Sequence, residues 1–379
     1  MENVSSRCGK SDSAPHLRFP EFSGEWMEKK LGEIFFEVNE RKHPELPVLS
    51  IQQGIGTVFR DTSERRISYD KSNINAYKVI EPGDFIIHLR SFEGGLECSK
   101  HKGISSPAYK ILRSNYIDSD AFKDYFRSYN FIEGKLATAV TGIRDGKNID
   151  MPTFWSLKIN IPSLPEQKKI AAFFTLLDRR IQKQCQLVEC LKTYKRGVMN
   201  KLFDENIEFD KYLKWEKVDE IFKTINDKPY QLQSCSYFQN GLYDIVDQGK
   251  KEIVGFCNYN DKLFIDVPVI IYGDHTTLVK YREKKFIVGG DGVKLLKSRD
   301  SNINLKYLYY ALLQYNIKPE GYKRHFSILK EVSLPIFEKR IQDEIAKIMT
   351  CIDSCIKLHE NKLSSLLSLK SALLQKMFI

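Results

Sequence analysis

Residues 165–203 read PEQKKIAAFFTLLDRRIQKQCQLVECLKTYKRGVMNKLF, and the apolar positions inside this stretch decide the fold. Starting at Ile170 and stepping alternately by four and three residues, one meets Phe174, Leu177, Ile181, Gln184, Val188, Leu191, Lys195, Val198 and Leu202. Such an alternation is a heptad seam, the narrow stripe by which one helix buries itself along another. Pro165 at its start suits a first helical turn, where the missing N–H is not needed.

The seam returns at the end of the chain. Ile345, Met349, Ile352, Ile356, His359, Leu363, Leu366, Lys370, Leu373 and Met377 each lie 175 residues after their counterparts (345 − 170 and 377 − 202). The polar interruptions coincide as well, Gln184 with His359 and Lys195 with Lys370. Outside the seam the same offset matches Gln167 with Gln342, Asp178 with Asp353 and Phe203 with Phe378. Agreement this dense marks an internal duplication. Five heptads holding register in each copy favour a coiled coil over an ordinary core stripe, and lone polar residues in a seam set register rather than chemistry. Because only residues 204–211 separate the first helix from the second globular half, the helices are expected to pair antiparallel, with Ile170 nearer Met377 than Ile345. About 38 residues at ~1.5 Å each give a rod of roughly 57 Å, an upper limit on the order of 17 base pairs for any gap such a rod could measure on DNA.

Each helix is preceded by a stretch of mixed character. In the first half MEKKLGEIF, from Met27, reads as a short helix, and Phe85 with the next four residues as a strand after the turn Glu81-Pro82-Gly83-Asp84. Residues 109–112 read as a strand, 120–129 as a helix with Phe122, Tyr125, Phe126 and Tyr129 on one face, and 155–161 as a further strand. The second half repeats the order: 215–222 echoes 26–35, 269–272 stands for 85–89, 286–296 for 105–112, and 305–315 for the helix at 120. The fold expected is α+β, two globular domains separated by two long helices. The boundaries read as a mobile tail 1–20, a first domain 21–164, the first helix 165–203, a linker 204–211, a second domain 212–337 and the second helix 338–379. Residues 19–26 read as a docking segment.

A chain of 379 residues with 42% hydrophobic content supports two domains with real cores. Lys and Arg exceed Asp and Glu by 59 to 49, a net +10 that suits a polyanionic partner. Eight cysteines without a Cys-x-x-Cys pair read as free thiols in a reducing cytosol, and no stretch reads as a signal core or membrane span. P-loop, dinucleotide, nucleophile-elbow and zinc-protease motifs are absent, so no active site is expected. Basic loops carry the functional reading instead. They supply Arg90, Ser91, Lys100, Lys102, Arg144 and Lys147 in the first half, with Arg60, Arg65 and Arg66 in a polar stretch before them. In the second half they supply His275, Thr276, Thr277, Lys280, Arg282, Tyr322, Lys323 and Arg324. Cationic groups mixed with hydroxyls and imidazole suit phosphate contacts and base-edge hydrogen bonds.

Domain, long helix, divergent domain and matching helix, with the run Ile161-Pro-Ser-Leu-Pro-Glu-Gln-Lys-Lys-Ile-Ala171, closely resembles the specificity subunit of type I restriction-modification systems. The second copy departs from that run, reading Leu-Pro-Ile-Phe-Glu-Lys-Arg-Ile-Gln and keeping only Gln342 of the Pro-Glu-Gln triplet. The resemblance implies a cytoplasmic, non-catalytic subunit whose two domains each read half of a bipartite site in double-stranded DNA. It further implies helices that dock two methyltransferase subunits, with restriction/translocase subunits completing the complex. S-adenosylmethionine, ATP and Mg are then expected in partner subunits and not in this chain. The absence of an Asn/Asp-Pro-Pro-Tyr/Phe adenine-methylase motif agrees with that division of labour. A self-contained DNA-modifying enzyme, a coiled-coil adaptor and an RNA binder are the competing readings.

Overall fold

Every seam position from Ile170 to Leu202 and from Ile345 to Met377 is buried or half-buried, and the two stretches form continuous helices, Leu164–Leu202 and Lys339–Phe378. The computed structural model describes residues 15–60, 71–87, 95–142, 148–203, 214–233, 236–321 and 323–378. Two compact units contain them: unit 1 is residues 1–185 with 362–379, and unit 2 is residues 186–361. Each unit therefore holds part of both long helices, and in each the two run antiparallel. In unit 1 Met377 shares a core with Ile170 and Phe174; in unit 2 Ile345 and Met349 share one with Val198 and Leu202.

Ion pairs repeat this pattern by the 175-residue offset. Lys370 reaches Asp178 at 2.7 Å in unit 1, and Lys195 reaches Asp353 at 2.5 Å in unit 2. Both lysines occupy apolar seam positions, so their stems pack in the seam while the ammonium turns to the aspartate of the facing helix. That use explains why both copies of the duplication carry a charge inside a hydrophobic stripe.

The globular part of unit 1 contains a four-stranded antiparallel sheet in the order Phe36–Val38, Lys110–Arg113, Phe85–Ile87, Leu96–Cys98. Unit 2 repeats the order with Phe222–Ile225, Val293–Ser298, Val269–Gly273 and Val279–Arg282. One of the two inner strands of each sheet, Phe85–Ile87 and Val269–Gly273, is buried along its whole length because both faces are covered. Side chains alternate across a strand, so Ile270 and Tyr272 join the core under helix Leu305–Tyr315, whereas Val269 and Ile271 join a second core with Val246, Phe264 and Val288. Phe85 and Ile86 divide in the same way in unit 1. A strand buried on both faces reads as a continuous apolar run, which is why Phe85–Ile87 and 269–272 were legible; residues 88 and 89 of the expected first strand lie outside the described residues.

Several local expectations are corrected. Met27–Lys30 is a strand paired with Lys158–Ile161, and only Leu31–Ile34 is helical. Lys214–Lys217 and Ser333–Ile336 form the equivalent ribbon in unit 2. Residues 120–129 do not make one helix: Ser119–Phe122, the 3-10 turn Tyr125–Arg127 and Tyr129–Ile132 succeed one another, broken where Ser128 takes extended backbone and caps the next turn. Phe122, Tyr125 and Phe126 enter the core as expected, but Tyr129 is 78% exposed. Trp155 belongs to a helix, Met151–Ser156, capped by Asp150 and started by Pro152. Residues 286–296 contain two strands of different sheets, Ile287–Gly289 and Val293–Ser298.

The shared offset of Gln167 and Gln342 has a specific cause. Gln167 accepts the N–H of Asp118 at 2.7 Å and donates to the Pro162 carbonyl at 3.0 Å. Gln342 accepts the N–H of Asn304 at 2.8 Å and donates to the Phe337 carbonyl at 2.7 Å. Asp118 and Asn304 are themselves the N-caps of Ser119–Phe122 and Leu305–Tyr315. Each glutamine thus ties the start of a long helix to the start of a helix in its globular part. Alanine removes three hydrogen bonds at 167, the third a 3.5 Å bond to the Tyr116 carbonyl, and two at 342, and leaves buried or half-buried backbone groups unpaired, a loss of about 1–2 kcal/mol. Chemical unfolding of the full chain checks this, and two variants as stable as the parent would contradict it.

Residues 15–26 dock in unit 1, so the docked stretch takes in residues 15–20 of the expected mobile tail as well as the expected docking segment 19–26. Arg18 makes two 2.7 Å bonds to the buried Glu166, Trp26 Nε1 donates to the same carboxylate at 3.3 Å, and Phe19 packs edge-on against Phe173. Glu166 of the Pro-Glu-Gln run is thus occupied by this segment; Ile341 stands at its offset position in unit 2.

Candidate nucleic-acid interface

In unit 2 the buried strand Val269–Gly273 turns tightly through 274–278 before Val279–Arg282 returns. Only glycine fits at 273, since an added Cβ would stand 2.2 Å from Thr276 Oγ1. Thr277 adopts a φ of +57°, a left-handed conformation steadied by Asn316 Nδ2 donating to its carbonyl at 2.6 Å. The His275 N–H donates to Gln248 Oε1 at 3.0 Å and the Thr276 hydroxyl donates to the Gln248 carbonyl at 2.6 Å.

Lys280 and Arg282, chosen from composition as contacts for a partner, are engaged within the fold. The Lys280 ammonium donates to the carbonyls of Asp247 at 2.8 Å and Lys251 at 2.6 Å, and burial pushes its pKa down against the opposing pull of Asp247. Arg282 donates to Asp244 at 2.7 Å. Both pin the strand to the 244–251 segment.

Lys323 and Arg324 are exposed, with Lys323 paired to Glu320 at 2.6 Å. Behind them His325 is fully buried. Its Nε2 accepts the Glu320 N–H at 3.0 Å, which leaves Nδ1 to donate to the Asp274 carbonyl at 3.1 Å. Asp274 Oδ1 in turn accepts the N–H groups of His325 at 2.9 Å and Phe326 at 2.8 Å. The turn that holds the expected His275, Thr276 and Thr277 and the residues flanking the expected Lys323 and Arg324 are therefore brought together.

Two further loops join them that the sequence reading missed. Gln248 Nε2 donates to the Asp291 carbonyl at 2.8 Å, and the Asp274 N–H donates to the Gly292 carbonyl at 2.7 Å. Gly292 sits at φ +78°, where an added Cβ would lie 2.5 Å from Gln248 Nε2. Residues 247–251 and 290–292 thus complete a four-loop surface that displays Lys250, Lys251, Asp291, Lys323 and Arg324 to solvent beside half-buried His275 and Thr276. Ammonium and guanidinium groups around a patch of amide, imidazole and hydroxyl can hold phosphates and hydrogen-bond base edges. Gly-Gly-Asp-Gly at 289–292 and Gly-Lys-Lys at 249–251 were the available signals.

In unit 1, residues 88–94 connect Phe85–Ile87 to Leu96–Cys98, as 274–278 connects the matching strands of unit 2. Arg90, Ser91, Arg144 and Lys147 lie outside the described residues, as do Arg65, Arg66 and Tyr322. Arg60 donates to the Ser50 hydroxyl at 3.2 Å. Lys100 and Lys102 come after Leu96–Cys98 and so belong to the far end of that strand from residues 88–94. Lys100 is exposed and lines a 580 Å³ open cleft with Pro82, Ser99, Lys123 and Asp178. Lys102 pairs with Glu81 at 2.7 Å, which raises its pKa. Cys98 lines the same cleft, but burial pushes its thiol up to about 12, so it offers no thiolate near neutrality. Among the described residues no cluster of three His, Cys, Asp or Glu could hold a metal ion, and no helix is long and apolar enough to cross a membrane.

Comparison with known proteins meets this geometry. The chain is 25% identical over 239 residues to the type I restriction enzyme MjaVIII specificity subunit of Methanocaldococcus jannaschii, covering 59% of this chain and 52% of that protein. It is 27% identical over 229 residues to the putative type I restriction enzyme MjaX specificity subunit of the same organism, covering 53% and 54%. The chain spans about half the length of these curated relatives. Its fold matches the S subunit of a type I restriction-modification system from M. genitalium with a TM-score of 0.61 and 16% identity, over 97% of this chain and 99% of that one. Residues 103–189 and 212–368, one block from each copy of the duplication, match the profile of the type I restriction modification DNA specificity domain. With well over half its length inside that profile, the chain belongs to the type I restriction modification DNA specificity domain family.

Proposed function

We propose that this chain is the specificity subunit of a type I restriction-modification complex, reading double-stranded DNA as a bipartite site with one globular unit per half. In this reading the long helices dock two methyltransferase subunits, and restriction/translocase subunits complete the assembly. S-adenosylmethionine, ATP and Mg serve those partners, and this chain contributes recognition alone.

The observation that carries the reading is the contrast between scaffold and loops. Both units repeat one sheet order, one strand ribbon and one glutamine clamp. The turn set on that scaffold reads His-Thr-Thr at 275–277, whereas 88–94 reads His-Leu-Arg-Ser-Phe-Glu-Gly. A duplicated frame with unlike loops suits two readers of different sequences.

Replacing Lys250, Lys251, Lys323 and Arg324 together by alanine is expected to weaken binding of the full chain to duplex DNA across all sequences. If all four meet phosphates, the slope of log K against log salt becomes shallower by about 3 to 4. Anisotropy titrations over a salt series measure it. A slope equal to that of the parent would mean that DNA does not lie on these loops.

A further inference from the structure

Gln248 and Asp274 carry no exposed charge of their own toward a partner, yet the polar contacts that join the four loops of unit 2 pass through one or the other. Gln248 uses its carbonyl, its side-chain oxygen and its side-chain nitrogen on Thr276, His275 and Asp291. Asp274 is 4% exposed and uses its N–H, its carbonyl and its carboxylate on Gly292, His325 and Phe326. An amide with both ends committed to backbone is a poor candidate for reading a base, because it would have to break two internal hydrogen bonds first. A carboxylate whose oxygen already accepts two backbone N–H groups is likewise committed to the fold and is a poor candidate for reading a base.

We infer that Gln248 and Asp274 are positioning residues for specificity: they hold the exposed groups of 250–251, 291 and 323–324 in one fixed arrangement, so that unit 2 discriminates among DNA sequences only while both are in place. The inference rests on the reading of these loops as a DNA surface. It goes beyond that reading by separating affinity from discrimination. Exposed lysines supply attraction for any duplex, whereas discrimination needs the donors and acceptors held within a few tenths of an ångström of their places. Removing the Asp274 carboxylate takes away the bonds to the N–H groups of His325 and Phe326 and leaves that segment tied to the turn through the residue-274 carbonyl alone. The cations remain, so binding persists while sequence preference at one half-site is lost.

The test uses the full-length chain purified from its own cells with whatever subunits accompany it, and a library of duplexes randomised throughout as the probe. Sequencing the retained duplexes from the parent should reveal two enriched blocks. Asp274→Ala is expected to lose the enrichment of one block by about tenfold or more while leaving the other block unchanged. Asp274→Asn keeps an oxygen facing the two N–H groups and should restore the lost block. Gln248→Ala should weaken the same block that Asp274→Ala loses. Thermal unfolding accompanies each variant; should Asp274→Ala fail to fold, Gln248→Ala at a half-buried site decides alone. Retention of both blocks by the folded variants, or loss of both together, overturns the inference while leaving a DNA-reading chain. A parent that enriches no sequence overturns the reading itself and the inference with it.

Discussion

Exchange of residues 212–337 for the corresponding region of a relative is expected to replace one half of the methylated sequence and leave the other half unchanged base for base. The expectation comes from how the cores divide. Among the described residues Ile270, Tyr272, Tyr307 and Leu308 belong to a core drawn from unit 2, and Phe85, Phe122, Phe126 and Phe131 to one drawn from unit 1. The cut points also respect the ribbon, because Lys214–Lys217 and its partner Ser333–Ile336 travel together. What must be matched at the junction is specific. The incoming region has to supply an N-cap whose N–H meets Gln342, and small or apolar residues against Ile345, Ala346 and Met349. It must also supply a hydroxyl for Asp353, which now accepts from Tyr310 at 2.8 Å. Sequencing of methylated DNA from cells carrying the hybrid reads both halves at once. A change in both halves would show that the two units do not read independently.

The long helices were legible because heptad spacing is a local property that survives in sequence order. Even their polar seam residues had a visible symmetry, and the ion pairs of Lys195 and Lys370 give that symmetry a cause. Strands buried on both faces were legible for a similar reason, since nothing but a continuous apolar run can fill 85–87 or 269–273. The misread elements are those whose local pattern is overruled from a distance. Residues 120–129 have helical spacing, but Asp118 is held by Gln167 and the extended Ser128 caps a fresh turn, so three short pieces replace one helix. Lys280 looked like a loop cation, yet its ammonium is claimed by carbonyls 29 and 33 residues away. Gln248 was invisible for the converse reason: its role lies in bonds to residues 27, 28 and 43 positions later, and nothing beside it in sequence announces them.

Lys370→Ala is expected to destabilise unit 1 by about 3 kcal/mol, whereas its duplicate Lys195→Ala lowers the stability of unit 2 by only about 1 kcal/mol. The two lysines occupy equivalent seam positions, so the difference must come from what each leaves behind. Lys370 lies between two carboxylates, 2.8 Å from Asp124 and 2.7 Å from Asp178. Asp124 is 7% exposed, and without Lys370 it keeps only the Arg127 guanidinium at 2.9 Å. Burial pushes the Asp124 pKa up, but Lys370 and Arg127 outweigh it and hold the carboxyl below the usual range. Asp353, by contrast, is 34% exposed and retains the Tyr310 hydroxyl when Lys195 is removed. The pH dependence separates this account from simple loss of packing by the lysine stem. A depressed carboxyl stabilises the fold fully above its unfolded pKa of about 3.9 and loses that contribution as pH falls through the folded value. The deficit of Lys370→Ala should therefore shrink as pH falls below about 3.9, and its Asp124 part should be gone only below the depressed folded value of the parent, where Asp124 is protonated in both proteins. Asp124→Asn placed in the Lys370→Ala chain should recover part of it at neutral pH. Unfolding of the full chain at pH 7 and in acid measures both effects, and equal deficits for the two lysine variants at pH 7 would remove Asp124 as the cause.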